Sequence, residues 1–242
     1  MELWMVWPEE TLYESDPQAA GELKEDLLAL EELKASFDFG QGDGAQDEAL
    51  EQSAVSYADP QGAFCLKLPP QALIVSPAQG PEEAAAAREA FAALGEDYGG
   101  IFDLLYEDVT QEGATLLLLP ESGLACQLFC QKEEAFAKAT LSTYYQLAEP
   151  VRASLEKRFG SARLLDGDGT MEVSGLEHAW LSYWLRTGKT DLLLNVLAVT
   201  DGEGRLREID LYTFPDAPGT GPEKLLRLML DTLEYLPGTE KI

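Results

Sequence analysis

Apolar residues recur along this chain in two rhythms, one of three to four residues and one of two, and they mark helices and strands respectively. Leu23, Leu27, Leu30 and Leu33 follow Asp16-Pro17, a good cap and first helical residue, so an acidic amphipathic helix is predicted to about Ser36. Residues 37–54, with Gly40, Gly42 and Gly44 among few apolar positions, read as a linker. Residues 57–62 read as a turn, after which Phe64, Leu66 and Leu68 alternate with Cys65 and Lys67 in a strand that Pro69-Pro70 ends. Gly80-Pro81 starts an Ala-rich helix through Phe91 and Leu94, with Gly95 as a left-handed stop. Strand-like runs follow at residues 101–106, 114–119 and 124–131, and Pro120 to Gly123 should join the last two as a hairpin.

Leu141, Tyr144, Ala148, Val151, Leu155 and Phe159 form one helical stripe stopped by Gly160. Pro150 lies within it, so the helix is expected to kink near Gln146 or to break at the proline. Strands are predicted at residues 171–174, 177–186, 191–200 and 205–214, with Asp201-Gly202-Glu203-Gly204 as a hairpin signal between the last two. Gly221-Pro222 opens a terminal helix carrying Leu225, Leu226, Met229, Leu233 and Leu236. Strands outnumber helices, and the helices flank the strand run instead of alternating with it. That order specifies an α+β fold with a mainly antiparallel sheet.

Charge narrows the partners. Seventeen Lys and Arg against forty-four Asp and Glu give −27, a field that repels nucleic acid and anionic membrane surfaces and suits a basic protein surface, if the acidity serves more than solubility. The excess is concentrated at the start, where residues 1–57 carry fifteen carboxylates against Lys24 and Lys34. The composition, 45% hydrophobic and 25% charged, is that of a folding globular chain. The longest apolar run, residues 192–199, is interrupted by Asn195 and is of strand length, so no membrane-spanning helix is expected. No basic region followed by an apolar core opens the chain, which predicts a cytoplasmic protein, or an extracytoplasmic or lipid-anchored one if a signal has been removed ahead of Met1. The apolar residues 3–7 are expected to pack on the main domain or on a partner.

The segment Asp59-Pro60-Gln61-Gly62-Ala63-Phe64-Cys65-Leu66-Lys67-Leu68-Pro69 resembles the opening strand of the PsbP-like family. The helix ending at Phe159-Gly160, the strand entry Val173-Ser174-Gly175-Leu176, the hairpin over residues 192–214 and the helix over 223–236 follow in that family's order, so the likeness spans residues 57–237. Two features depart from it: Pro70-Gln71-Ala72-Leu73 stands where the family has Gly-Trp, and the helix at residues 82–94 looks like an insertion. The resemblance implies an α/β/α sandwich over residues 57–242 behind an acidic helical extension at residues 1–56. It also implies a non-catalytic binding or accessory protein, since the superfamily shares no catalytic motif.

Chemistry has few candidates. His178 is the one histidine, on a strand face with Trp180, Ser182 and Trp184, and reads as structural. Asp166-Gly167-Asp168-Gly169-Thr170 with Glu177 is similar to a calcium loop, but Met171 stands where the sharp turn requires glycine, so a glycine-rich hairpin loop is expected. Glu208 and Asp210 share a strand face about 7 Å apart, the spacing of an acid-base pair, on what reads as a solvent-facing sheet. Asn195 is a buried amide that must find partners. The three cysteines read as buried small hydrophobes; Cys126 and Cys130, about 13 Å apart on one strand face, cannot pair, while Cys65 could bridge to either if the strands were neighbours. With no nucleophile elbow, phosphate loop, dinucleotide fingerprint or zinc cluster, no catalytic, cofactor or metal site is expected. The alternative is a carboxylate hydrolase in which Glu208, Asp210 and His178 meet in a cleft. The interior beneath the helices is expected to serve packing alone.

Overall fold

The computed structural model describes residues 50–132, 134–200, 203–214 and 222–236, all within the second of the chain's two units, Gly42–Ile242. The predicted helix at residues 16–36, the apolar residues 3–7 and most of the linker lie outside the described residues. Residues 50–53, expected in the linker, are helical, and the Ser53 hydroxyl donates back to the Leu50 carbonyl at 3.0 Å.

Strand β1 (Val55–Ala58) runs into the Asp59 turn and pairs antiparallel with β2 (Phe64–Leu68). Asp59 builds that turn. Its Oδ2 accepts from the Gln61 and Ala63 amides, both at 3.1 Å, while its own amide donates to the Phe64 carbonyl at 2.9 Å. Then come β3 (Leu73–Val75), α1 (Pro81–Ala92), α2 (Tyr98–Gln111), β4 (Thr115–Leu119) and β5 (Leu124–Lys132). Helix α3 (Leu141–Phe159) leads into β6 (Ser161–Val173), β7 (Leu176–Thr187), β8 (Thr190–Thr200) and β9 (Arg205–Thr213). Helix α4 (Pro222–Thr232) and the short β10 (Glu234–Tyr235) follow.

The strands make two antiparallel sheets, one of seven in the order β3-β4-β5-β9-β8-β7-β6 and one of three in the order β1-β2-β10. The fold is therefore mixed α+β with antiparallel sheets. Helices α1, α2 and α3 pack on one face of the large sheet, bringing Phe91, Ile101, Phe102, Leu105 and Phe159 against Leu116, Leu118, Tyr183, Leu194 and Tyr212. The small sheet is tied to the other face. The Tyr235 hydroxyl there meets His178, and Thr115 donates to Asp59 at 3.4 Å. Helix α4 packs on β2, and the Thr232 hydroxyl accepts the Lys67 amide at 2.9 Å.

Several local expectations differ from what is observed. Residues 101–106 are helical, not strand: Tyr98, Ile101, Phe102, Leu105 and Val109 bury one helical face, and a short apolar run satisfies either period until its flanks are counted. The glycine-rich stretch at 166–170 is no hairpin loop but the middle of β6, where register shifts between Leu164, Asp166 and Gly169 accommodate the extra residues as bulges. The hairpin turn lies later, at Ser174-Gly175, inside the expected strand entry Val173 to Leu176. Both residues have positive φ, 55° and 71°, the pair a two-residue turn with the strand's own twist requires. Gly95 is not among the positive-φ glycines; α1 instead ends through a right-handed Ala93. Helix α3 runs unbroken through Pro150, and the Thr140 amide is capped by the Thr143 hydroxyl at 3.0 Å.

Candidate functional site

Strand β9 is pinned between β5 and β8, and its alternate residues Leu206, Glu208, Asp210 and Tyr212 face the helical layer. Glu208 and Asp210 thus share a face as expected, but it is the covered face, not a solvent-facing one. Asp210 is only 8% exposed, whereas Glu208 keeps an edge toward solvent.

The helices above bring further ionisable groups. Asp108 on α2 pairs with Arg158 on α3 at 2.7 Å, and Arg158 also donates to the Leu104 carbonyl, so one guanidinium stitches the two helices together. From β5, Gln127 reaches up to donate Nε2 to the Leu105 carbonyl at 2.9 Å. Tyr212 donates to Asp210 Oδ2 at 3.4 Å. Three carboxylates and one arginine therefore converge between sheet and helices, which corrects the expectation that this interior serves packing alone.

Burial raises Asp210 well above the ordinary carboxylate range, and the Glu208 and Asp108 charges add to it, with Arg158 opposing. Glu208 is raised by burial first and by Asp108 second. Asp108 is raised by burial despite its ion pair with Arg158. Carboxyl groups raised in this way hold protons where exposed ones do not.

His178 does not join them. It lies on the opposite face of the sheet, 0% exposed, with Nδ1 2.9 Å from the Leu176 carbonyl and Nε2 3.1 Å from the Tyr235 hydroxyl. The cleft uniting Glu208, Asp210 and His178 is thus overturned, because their strand positions have opposite parity relative to the helical layer. Asn195, also on the second face, accepts from Trp180 Nε1 at 2.9 Å and from the Ser182 hydroxyl at 2.6 Å.

The cysteines are all free. Cys126 is buried as expected, but Cys65 is half-buried and Cys130 exposed. Cys65 lies in the small sheet and the other two in the large one, so the strands are not the neighbours a bridge would need. Among the described residues no group of His, Cys, Asp and Glu is arranged to hold a metal ion, and no helix is long and apolar enough to cross a membrane. The side chains of Asp166 and Asp168 lie outside the described residues. A groove of about 260 Å³ between α1 and β3 is lined by Leu73, Ala90, Leu94, Leu119, Pro120 and Glu121, and Glu208, Asp210 and Asp108 are not among its lining residues.

Sequence reasoning missed Asp108, Arg158 and Gln127. Gln127 carries a readable signal, an amide in the otherwise apolar strand run Leu124-Ala125-Cys126-Gln127-Leu128. Asp108 and Arg158 border the apolar stripes of their helices, where nothing local distinguishes them from surface charges.

No protein-family model and no curated protein matches this sequence. Among solved structures, the chain is similar to the T6SS immunity protein TplEi from Pseudomonas aeruginosa, at 10% identity over 77% of this chain and 98% of that one, with a TM-score of 0.43. It is similar to a chain of the Tle4-Tli4 complex at 10% identity, over 78% and 99% of the two chains, with a TM-score of 0.42. A protein from Bacteroides thetaiotaomicron VPI-5482 aligns at 13% identity over 76% of this chain, with a TM-score of 0.40, and the chain spans about half its length (48%). These likenesses are distant and carry no functional assignment, and the PsbP-like resemblance gains no family match from them.

Proposed function

We propose that this chain is a non-catalytic binding or accessory protein that acts through its surface on a protein partner offering a basic face. In the same reading, residues 57–242 form a PsbP-like α/β/α sandwich behind an acidic helical extension at residues 1–56. One observation supports it most. The acids spaced for chemistry are held under helices, with Asp210 8% exposed and the lone histidine on the far side of the sheet. The formal charge of −27 then makes the exterior the chain's dominant chemical feature, attractive to cations over roughly a Debye length, about 10 Å at 0.1 M salt.

The test immobilises the full chain, identifies a partner, and titrates the purified pair with salt. Affinity should fall at least tenfold between about 50 and 500 mM. A partner whose affinity ignores salt would remove the electrostatic part of the reading. Turnover in a broad hydrolase screen that Glu208→Gln or Asp210→Asn abolishes would remove the non-catalytic part.

A further inference from the structure

Gln127 and Asp210 are direct partners across the β5–β9 ladder, on the face covered by α2 and α3. Side chains so placed have Cβ atoms about 4.5–5.5 Å apart, near enough for the two polar groups to meet. Gln127 is 0% exposed and Asp210 8%, yet each carries one oxygen without a hydrogen-bond partner, Oε1 of Gln127 and Oδ1 of Asp210. Gln127 cannot turn its amide to escape this, because Nε2 donates to the Leu105 carbonyl at 2.9 Å and a flipped amide would set two acceptors together there. Oε1 must accept. An ionised Asp210 offers only acceptors and would leave both oxygens unpaired; a proton on Oδ1 satisfies both at once.

We propose that Asp210 is held as the neutral acid and donates its Oδ1 proton to Gln127 Oε1, so that a buried proton latches the helical layer onto the sheet. The latch runs from Asp210 through the Gln127 amide to the α2 backbone at Leu105. The charged and titratable groups acting on Asp210 are Glu208 and Tyr212 on its own strand, Asp108 on α2 and Arg158 on α3. Tyr183 on β7 also faces Asp210 and Glu208. Strands β5 and β8 bring no charged side chain to this face, where Ala125, Gln127, Phe129 and Gln131 flank β9 on one side and Leu194, Val196, Ala198 and Thr200 flank it on the other. Arg158, the cation among the described residues that acts on Asp210, is committed to Asp108 at 2.7 Å and so does not pair an ionised Asp210. Burial and the Glu208 charge hold Asp210 protonated, in agreement with the geometry.

The sign of the pH effect follows. An unfolded aspartate titrates near 3.9. The latch therefore contributes fully below that value and is lost as pH rises to the folded midpoint, the folding constant falling about tenfold per pH unit between the two. Burial lowers His178, which works in the opposite direction near pH 6, unfolded cysteines ionise above about pH 8, and Glu208, raised by burial to about 7, titrates between them, so the Asp210 contribution is read as the difference from an Asp210 variant across pH 4–8.

The experiment records the carboxyl carbon resonance of Asp210 in the labelled full chain, assigned with Asp210→Asn, and urea unfolding of both proteins from pH 4 to 8. The Asp210 resonance should titrate well above the ordinary carboxylate range. The amide introduced by Asp210→Asn keeps a donor for Gln127 without a charge, so the variant should lose up to tenfold per pH unit of the wild-type decline in folding constant above the unfolded aspartate value. A resonance titrating within the ordinary carboxylate range, or the same slope in both proteins, overturns the latch. If Asp210→Asn does not fold, Gln127→Met, which removes the acceptor at similar volume, serves instead. It should lower the Asp210 midpoint by about one unit, and an unchanged midpoint overturns the proposal.

Discussion

The Tyr235 hydroxyl meets Nε2 of His178 at 3.1 Å, bridging 57 residues and joining the small sheet to the large one. Because Nδ1 lies 2.9 Å from the Leu176 carbonyl, which can only accept, Nδ1 carries the ring hydrogen and Nε2 accepts from tyrosine. The two rings stack at 6.0 Å, and Arg207 sits over the tyrosine ring at 4.6 Å. Tyr235→Phe deletes the donor and leaves Nε2 unpaired in a buried site, which should cost about 1–3 kcal/mol in urea unfolding at pH 7.

Burial also lowers the His178 imidazole below its ordinary value, with the Arg207 charge adding to it and the Leu176 carbonyl opposing. A depressed folded value means that the stability His178 contributes is present above the unfolded value, near 6.5, and is lost as pH falls through the folded one. His178→Gln, which cannot ionise, should flatten the decline in stability between pH 6.5 and 5. Denaturant midpoints at several pH values check this, and an unaltered slope would contradict the assignment.

Gly188 turns the β7–β8 hairpin at φ +59°, and a Cβ built there would stand 2.5 Å from Asp97 Oδ1. Asp97 occupies that place because its carboxylate accepts the Lys189 amide at 2.7 Å and the Thr190 hydroxyl at 3.1 Å, anchoring the start of α2 to the turn. Gly188→Ala combines left-handed strain with a clash and should cost about 2–4 kcal/mol. Gly175→Ala, at φ +71° with open space around the added Cβ, should cost about 1–2 kcal/mol, from strain alone. Thermal melts of the two variants side by side separate these terms.

Phe91 anchors α1 in the helical layer, with Tyr98 at 5.4 Å and Phe214 at 5.3 Å, both edge-on. Phe91→Ala would open a cavity among rings that cannot collapse into it and should cost about 3–5 kcal/mol. Calorimetry or urea unfolding measures it. Phe91→Leu should lose markedly less.

Several elements were legible from local chemistry. Gly80-Pro81 marks the start of α1, Pro222 the start of α4, and Gly160 the end of α3. These signals work because the φ that proline fixes, and the positive φ that glycine allows, act within a few residues. The three-residue β3, the two-residue β10 and the bulged middle of β6 carried no such mark. Each is a strand only because a distant partner, β4, β2 or β7 in turn, supplies its hydrogen bonds.

The candidate site divides along the same line. By itself the amino-acid order determined that Glu208 and Asp210 share one face of a strand, that His178 belongs with Trp180 and Ser182, and that the chain is strongly acidic, since period and charge are properties of the order. Only the tertiary structure decided that the acid pair faces the helical layer and that Asp108, Arg158 and Gln127 meet it there. An alternating strand pattern has two faces but names neither as the inside; that assignment waits on which surface the helices, far along the chain, come to cover.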